Sequence, residues 1–413
     1  MDRREFLRHL LLASGGLMFS VGTRGWAARL ADSASRDGRR LVVVFLRGAV
    51  DGLNVVVPWA DDRYYEARPT IAIPKPGQAS GVTDLDGHFG LHPALASILP
   101  LWQNKTLAFI HASGSPDPSR SHFEAQAFME TGTPGVATTP DGWMNRLLGA
   151  LPGPRSPSEA LSLGPTLPRI LVGSNSVANL PLGRNADHPI PLDRPKVADA
   201  FGALYQGDTP VDKAFQQGQR ARGELMSDLA KDMSDSFNGA PAVDGFTQDS
   251  TRLAELMNRD SGIRLAFLAV GGWDTHVGEG SSKGQLSRNL ESLGNGLAAL
   301  AKGLGPAYQD TAIVVMSEFG RTFRENGNAG TDHGHGNAMW LMGGSVKGGE
   351  VYGDWPGLAD DQLYQNRDLA VTTDFRQVLA SVLGRHLGLG DAILDQVFPG
   401  GPGGGTSLGG LIS

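Results

Sequence analysis

The densest group of potential ligand side chains in this sequence lies at residues 332–335. Asp332, His333 and His335 are interleaved there with glycines. Asp274 and His276 follow two glycines further upstream, and residues two apart on an extended segment point to the same side. Carboxylate and imidazole groups in such loops are typical ligands of a divalent metal. The sequence therefore predicts a metal site that uses these positions, and it leaves open whether His333 or His335 is the ligand.

Two more acidic residues follow apolar runs of the kind that form buried strands. Asp51 lies in a glycine-flanked turn, and Glu318 comes directly after residues 312–316. Ligands of an open α/β sheet collect beyond the carboxyl ends of its strands, so both residues are candidates for the same site. Asp51 also fits a simple structural role, because Asp-Gly is a favoured turn pair.

A candidate nucleophile precedes a helical pattern that begins at His122. Glu124 lies three residues after Ser121, the spacing of a capping box, so Ser121 fits a helix cap. The same position also fits a nucleophile, because the backbone N–H groups and the positive dipole end of a helix face any anion bound there. Ser119 is an alternative to Ser121 in both roles.

Three arginines lie close in sequence to these candidates. Arg47, Arg120 and Arg321 could each bind an oxyanion through two parallel hydrogen bonds. A surface position is the alternative for each of them.

The candidates are positioned by an alternation of apolar runs and helical patterns. Short apolar runs predict strands at 41–46, 106–111, 169–173, 263–270, 312–316 and 338–342. Helical patterns occupy 93–102, 122–131, 285–304 and 374–387. This alternation predicts an α/β fold, a doubly wound, mostly parallel sheet with helices on both faces.

The chain divides into one large domain and shorter flanking segments. We expect a linker at 28–39, an α/β domain at 40–398 with a helical, cap-like insertion at about 205–260, and a flexible glycine-rich tail at 399–413. Residues 1–27 resemble a twin-arginine export signal, because Arg3-Arg4 precedes a short, weakly apolar stretch and a small-residue cleavage site. The expected location is therefore periplasmic or secreted.

Composition excludes several classes of protein. The 413 residues contain no cysteine, so a disulfide framework, a thiolate metal site and a cysteine nucleophile are all excluded. A formal charge of −7 and the lack of a basic, aromatic-rich stretch argue against a nucleic-acid partner. No apolar segment is long enough to predict a transmembrane helix. The oligomeric state is not indicated by the sequence.

Taken together, these motifs resemble the DUF1501 family and, through it, the alkaline phosphatase-like superfamily. The resemblance rests on residues 46–54, 119–126, 271–276, 317–322 and 332–334, in this order along the chain. It implies an alkaline phosphatase-like fold, a hydroxyl nucleophile, and divalent metal ions held by acidic residues and histidines. The implied positions are Asp51, Ser121, Asp274, His276, Glu318 and one of His333 and His335.

The sequence departs from the superfamily pattern at two places. Phe319 stands where the superfamily usually has a histidine, and Asp274 and His276 are closer together than usual. One of two metal sites is therefore expected to be altered or absent.

The resulting hypothesis is an exported, metal-dependent hydrolase of phosphate or sulfate esters. One ion held by Asp51 and Glu318 would activate Ser121, and a second, held by Asp274, His276 and His335, would stabilise the leaving oxygen. Zinc suits these ligands best, and manganese and calcium are alternatives. The substrate would be a small anionic ester. The rival hypothesis is a non-catalytic, metal-binding assembly factor or surface-polymer-binding protein on the same scaffold.

Overall fold

A computed structural model of the protein describes residues 38–153, 157–164, 166–180, 206–207, 245–401, 408 and 410–413. In chain order, the strands of the main sheet are β1 (Arg40–Leu46), β5 (Leu107–Gly114), β6 (Ala160–Leu163), β7 (Ala178–Leu180), β8 (Leu265–Val270), β9 (Thr311–Ser317), β10 (Asn337–Met342), β11 (Val351–Tyr352) and β12 (Thr373–Asp374). The strands β2 (Val56–Val57), β3 (Thr83–Asp84) and β4 (Gly90–Leu91) form a small separate sheet.

The α-helices lie between the strands of the main sheet and after them. They are α1 (Gly52–Val55), α2 (Asp62–Ala67), α3 (Leu99–Gln103), α4 (His122–Thr131), α5 (Trp143–Ala150), α6 (Gly245–Arg259), α7 (Gln285–Leu304), α8 (Phe375–Ser381) and α9 (Asp391–Val397). Short 3-10 segments include Pro93–Ile98 and Gly305–Asp310, and a single π-helical turn spans Val382–His386.

The main sheet is mixed but mostly parallel, which confirms the predicted α/β fold. Its nine strands run in the order β11-β5-β10-β9-β1-β8-β6-β7, with β12 paired to β5. β1 pairs in parallel with β8 and β9, whereas β10 is antiparallel to both of its neighbours, β5 and β9.

Helices cover both faces of this sheet, as predicted. Alternate side chains of β1 divide between two apolar cores, since successive residues of a strand point to opposite faces. Val42 and Val44 share a core with α6 and α7, and Val43 and Phe45 share the other core with α5, α8 and α9. Every residue of β1 is buried, which explains its continuous apolar sequence.

Some predicted elements differ from the structure. Residues 169–171 form a 3-10 turn rather than a strand, and the next residue, Val172, accepts a backbone hydrogen bond from Gly142 N–H before α5. The Pro-, Gly- and Ser-rich stretch at 132–168 contains α5 and β6, neither of which was predicted. Local composition misled the prediction, because α5 packs into the second core and β6 pairs with β7 and β8 in the main sheet.

Predictions about the flanking segments are only partly within the described residues. The signal segment and most of both the linker and the 205–260 insertion lie outside them, although α6 falls at the end of the insertion. Within the tail that was predicted to be flexible, Leu411 and Ile412 are buried, and Ile412 pairs with Val346.

Opposite strand directions bring five loops to one edge of the sheet. The carboxyl ends of the parallel strands β1, β5, β8 and β9 lie there, and antiparallel β10 begins at the same edge. Segments 320–322 and 332–335 then pair with each other, because Gly334 N–H donates to Gly320 O at 2.8 Å and Thr322 N–H to Asp332 O at 2.9 Å. The loop before β10 is thereby fixed against the loop after β9.

Gly320 makes this close approach possible, and its replacement should destabilise the protein. A Cβ atom at this position would lie 1.8 Å from the backbone oxygen of Gly336. We expect Gly320→Ala to lower the free energy of unfolding by about 1–3 kcal/mol, measured by chemical denaturation. Gly327→Ala is the control, since a Cβ there would contact nothing within 4 Å. Equal losses in both variants would contradict the proposed steric cause.

Candidate metal centre

Three imidazole rings and one carboxylate converge at this edge of the sheet. The Nε2 atom of His333 lies 2.9 Å from Nε2 of His122 and 3.0 Å from Nε2 of His276. Asp274 Oδ1 lies 3.0 Å from His276 Nε2, 3.4 Å from His333 Nε2 and 3.6 Å from His122 Nε2. We call these four residues the imidazole cluster.

Acceptors stand behind the rings of His122 and His276. Nδ1 of His122 lies 2.8 Å from Glu318 Oε1, and Nδ1 of His276 lies 3.0 Å from Asp332 Oδ1. An ionised carboxylate accepts hydrogen bonds but cannot donate one. The Nδ1 atoms of His122 and His276 therefore carry the protons. The Nε2 atoms are then directed into the cluster, which is how carboxylates orient histidines that bind metals.

The ring of His333 is oriented in the same way by the backbone. Its Nδ1 lies 2.8 Å from the carbonyl oxygen of Arg120. Asp368 holds the Arg120 guanidinium at 2.6 Å and also contacts Arg367, which donates to the His333 carbonyl oxygen at 3.0 Å. His122 and His276 therefore each direct Nε2 towards Nε2 of His333.

Arg321 fixes the carboxylate of the cluster. Its Nη2 donates to Asp274 Oδ1 at 2.5 Å. Partial burial alone raises the pKa of Asp274, but the hydrogen bond and charge of Arg321 outweigh that effect and lower it. The remaining guanidinium hydrogen bonds go to the backbone oxygens of Gly48, Ala49, Trp273 and Thr331.

The electrostatics of the cluster suit a cation. Asp274, Glu318 and Asp332 face these rings, and Arg321 supplies one compensating positive charge. Two negative charges remain, which a divalent ion would balance. The hydrogen bond to Glu318 also raises the pKa of His122. A proton therefore competes with a metal ion for the His122 imidazole. Three imidazoles and a carboxylate are a donor set that zinc accepts.

A buried apolar residue packs against the rings of the imidazole cluster. Part of the cluster is exposed to solvent. Buried Phe319 packs against His122 and His333 with ring centroids 4.9 Å and 5.2 Å away. The Asp274 side chain is 46% exposed. Two exposed apolar residues, Phe123 and Val277, directly follow cluster histidines in the sequence.

The structure places Asp51 in a different buried group. Both of its oxygens accept hydrogen bonds from the guanidinium of Arg68, and neither side chain is exposed to solvent. Burial by itself raises the pKa of Asp51, but Arg68 outweighs it and lowers the pKa. A protein cation thus occupies the position where Asp51 was expected to bind a metal.

Glu318 contacts His122 of the imidazole cluster. Its Oε1 accepts hydrogen bonds from Gly48 N–H and Gln126 Nε2, both at 2.8 Å, and its Oε2 accepts from Ser317 Oγ at 3.0 Å. The carboxylate is fully buried. These contacts correct the hypothesis of an ion held jointly by Asp51 and Glu318.

The three arginines predicted to bind an oxyanion all contact groups within the protein, and Arg47 Nη2 donates to Glu130 Oε1 at 2.7 Å. Arg321 is directed at Asp274 and four backbone oxygens, and Arg120 is bound by Asp368 and by Gln365 Oε1 at 2.9 Å. Their guanidinium groups therefore position the cluster rather than face a substrate.

The structure distinguishes between the two serines. Ser119 Oγ donates to Glu124 Oε2 at 2.8 Å and accepts from the Ser121 N–H. The side chain of Ser121 forms no capping hydrogen bond to α4, so the predicted capping box does not form. Ser121 is exposed and lies immediately before His122.

The structure also separates His333 from His335. His335 stacks on Tyr364 with ring centroids 4.3 Å apart, and burial lowers its pKa to about 4. Antiparallel pairing explains the difference, because His333 lies opposite Arg321 at the cluster whereas His335 is two residues further towards β10.

Sequence reasoning missed His122 as a cluster residue. Attention fell on the neighbouring serines, and the helical pattern starting at His122 gave its side chain no distinct role. The available signal was its position: the first helical residue after a strand that ends at the ligand edge.

A comparison with family models matches residues 92–398 to the family described as "Protein of unknown function (DUF1501)". The chain belongs to the DUF1501 family. This confirms the family resemblance, and the matched segment contains the whole imidazole cluster. Asp51 and Arg68 lie before it.

Solved structures with related folds are distant. The lipoteichoic acid synthase LtaP from Listeria monocytogenes is 10% identical, with a TM-score of 0.37, over 76% of this chain and 69% of that one. A protein in the alkaline phosphatase superfamily from Vibrio parahaemolyticus is 8% identical, with a TM-score of 0.38, over 78% and 64%. The C-terminal periplasmic domain of EcEptC from Escherichia coli, in complex with zinc, is 11% identical, with a TM-score of 0.35, over 76% and 74%.

No curated protein matches the sequence of this chain. Among the helices in the described ranges, none has the length and apolar character needed to cross a bilayer.

Exchanging each of the two late histidines should separate their roles. We expect His333→Gln to weaken zinc binding by about 100-fold or more, because losing a ligand should exceed the 10–100-fold effect of residues behind the ligands. His335→Gln should bind zinc like the native protein, since His335 contacts Tyr364 instead. Competition with a chromophoric chelator measures both affinities. The reverse order of affinities would exclude the imidazole cluster as the site.

Proposed function

We propose that the protein is an exported, metal-dependent hydrolase of phosphate or sulfate esters. The observation that carries this proposal is the convergence of three Nε2 atoms and Asp274 Oδ1, with an acceptor behind each ring. A bound zinc ion would supply Lewis acidity towards an ester oxygen. His122, His333 and Asp274 would hold it, with His276 beside them.

The ligand types favour zinc over the alternatives. Calcium and magnesium prefer oxygen ligands, whereas this cluster offers three nitrogens. Manganese accepts the same groups less strongly than zinc does. The proposal therefore has one ion, in contrast to the two-ion hypothesis from the sequence, because Arg68 neutralises Asp51 and Phe319 offers no ligand atom.

Ser121 is the proposed nucleophile. It is exposed, it precedes His122 directly, and it stands at the N-terminus of α4, where free backbone N–H groups favour an anion. The hydroxyl of Ser119 is already engaged with Glu124. Exposed Phe123 and Val277 beside the cluster suit an ester with an apolar or ring-shaped group.

Export is the remaining part of this proposal. The paired arginines Arg3 and Arg4 and the apolar stretch after them support the twin-arginine route. A protein that carries a metal suits this route, which transports folded proteins.

Hydrolysis of aryl phosphates and aryl sulfates by the zinc-loaded protein tests the proposed activity. Ser121→Ala should lower kcat by about 10³-fold or more, as expected for the loss of a nucleophile. Ser119→Ala is the matched control and should retain most activity, because its hydroxyl is bound to Glu124. Activity that survives Ser121→Ala but is lost in His333→Gln would exclude Ser121 as the nucleophile. The same result would still support a metal-dependent reaction.

A non-catalytic metal-binding protein is the second candidate. His276 Nε2 lies 3.0 Å from both His333 Nε2 and Asp274 Oδ1, and a shift of its ring towards His122 would complete a set of four ligands. Four protein ligands close a tetrahedral zinc site, whereas catalytic sites keep one position open. The occupied guanidinium groups of Arg120 and Arg321 favour the same alternative, in which the partner would be a surface polymer.

Cobalt(II) distinguishes the two candidates through its visible spectrum. If the protein is a hydrolase, inorganic phosphate should change the ligand-field bands of the cobalt-loaded protein, because an anion can reach an open coordination position. His276→Ala is the comparison, since it opens a position that a four-ligand site lacks. A phosphate response that appears only in His276→Ala would support the non-catalytic candidate and contradict the hydrolase.

A further inference from the structure

A buried carboxyl group connects the two loops that carry the imidazole cluster. Glu279 Oε2 accepts a hydrogen bond from Thr275 Oγ1 at 3.0 Å and one from Thr331 Oγ1 at 2.7 Å. Thr275 lies between Asp274 and His276, and Thr331 precedes Asp332 and His333 in the sequence. Both threonines and Glu279 are completely buried.

The two loops also approach closely through their backbones. Thr331 N–H donates to Thr275 O at 3.1 Å, and Glu279 N–H donates to Ala329 O at 2.9 Å. A Cβ atom on Gly330 would lie 2.5 Å from the backbone of His276. The loops can therefore shift only together while these contacts hold.

Glu279 is anchored to the rigid part of the domain on its other side. Its Oε1 accepts from Asn54 Nδ2 at 3.1 Å, and Asn54 Oδ1 accepts from Tyr64 at 2.6 Å and from Arg68 at 2.8 Å. A buried salt bridge with Asp51 neutralises the charge of Arg68. Burial first, and the nearby Asp51 carboxylate second, raise the pKa of Glu279.

We propose that Glu279 is a positioning residue that fixes the Asp274–His276 loop against the Thr331–His333 loop and so sets the spacing of the imidazole cluster. The inference rests on the metal-binding part of the proposed function. Glu279 contacts none of the cluster side chains, so it acts through Thr275 and Thr331. Residues that orient metal ligands in this way commonly account for 10–100-fold of metal affinity.

Paired threonine substitutions test this role. Thr275→Val with Thr331→Val removes both hydroxyls while keeping the β-branched shape, and Thr275→Ser with Thr331→Ser keeps the hydroxyls as the matched control. The valine pair should weaken cobalt(II) binding by about 10–100-fold and alter its visible spectrum, whereas the serine pair should retain the native spectrum. Glu279→Gln, which keeps one oxygen for both threonines, should bind cobalt more tightly than the valine pair does.

Hydrogen exchange in the metal-free protein gives a second readout. The valine pair should raise exchange in residues 272–279 and 329–334 without raising it in β1 or β9, because only these loops lose a contact. Native-like cobalt affinity and exchange in the valine pair would overturn the inference. Wild-type protein that binds no cobalt would contradict the proposed function instead, and the exchange pattern would then decide the role of Glu279.

Discussion

The requirement that every nitrogen of three adjacent imidazoles has a partner governs this structure. Nδ1 of His122, His276 and His333 faces an acceptor, and the Nε2 atoms of His122 and His276 both face Nε2 of His333. Such an arrangement needs a positive species at its centre, either protons or a metal ion. The surrounding loops, with their carboxylates and Arg321, hold the rings in place and adjust the charge around them.

This requirement explains features that look unrelated in isolation. Phe319 occupies a position where a ligand was expected, and its ring supports His122 and His333 from the buried side. Arg68 neutralises Asp51, which leaves a single candidate centre within the described part of the chain. The close backbone approaches at Gly320 and Gly330 bring ligand loops together, because any side chain there would force the segments apart. The glycine-rich composition thus serves the geometry of this edge.

Much of the fold was predictable because its signals are local. Continuous apolar runs such as Leu41–Leu46 identify strands buried on both faces, and the long amphipathic pattern of α7 identifies a covering helix. Strand β6 and helix α5 were missed, since the stretch around them is rich in Pro, Gly and Ser, whereas pairing with β7 and β8 and packing into the second core fix them. Residues 169–171 were misassigned for the complementary reason: the apolar pair Ile170 and Leu171 covers a core from a 3-10 turn.

The sequence by itself determined the family, the α/β class and the presence of ligand-type residues at strand ends, because each depends on residue types and short spacings. Only the tertiary structure decided which of them meet. His122 is 152 residues from Asp274 and 211 from His333, and it joins them because β5, β8 and antiparallel β10 present their ends at one edge. Asp51 leaves that group because Arg68, 17 residues further on, folds back onto it. Long-range pairing between strands sets these distances, and no local pattern encodes it.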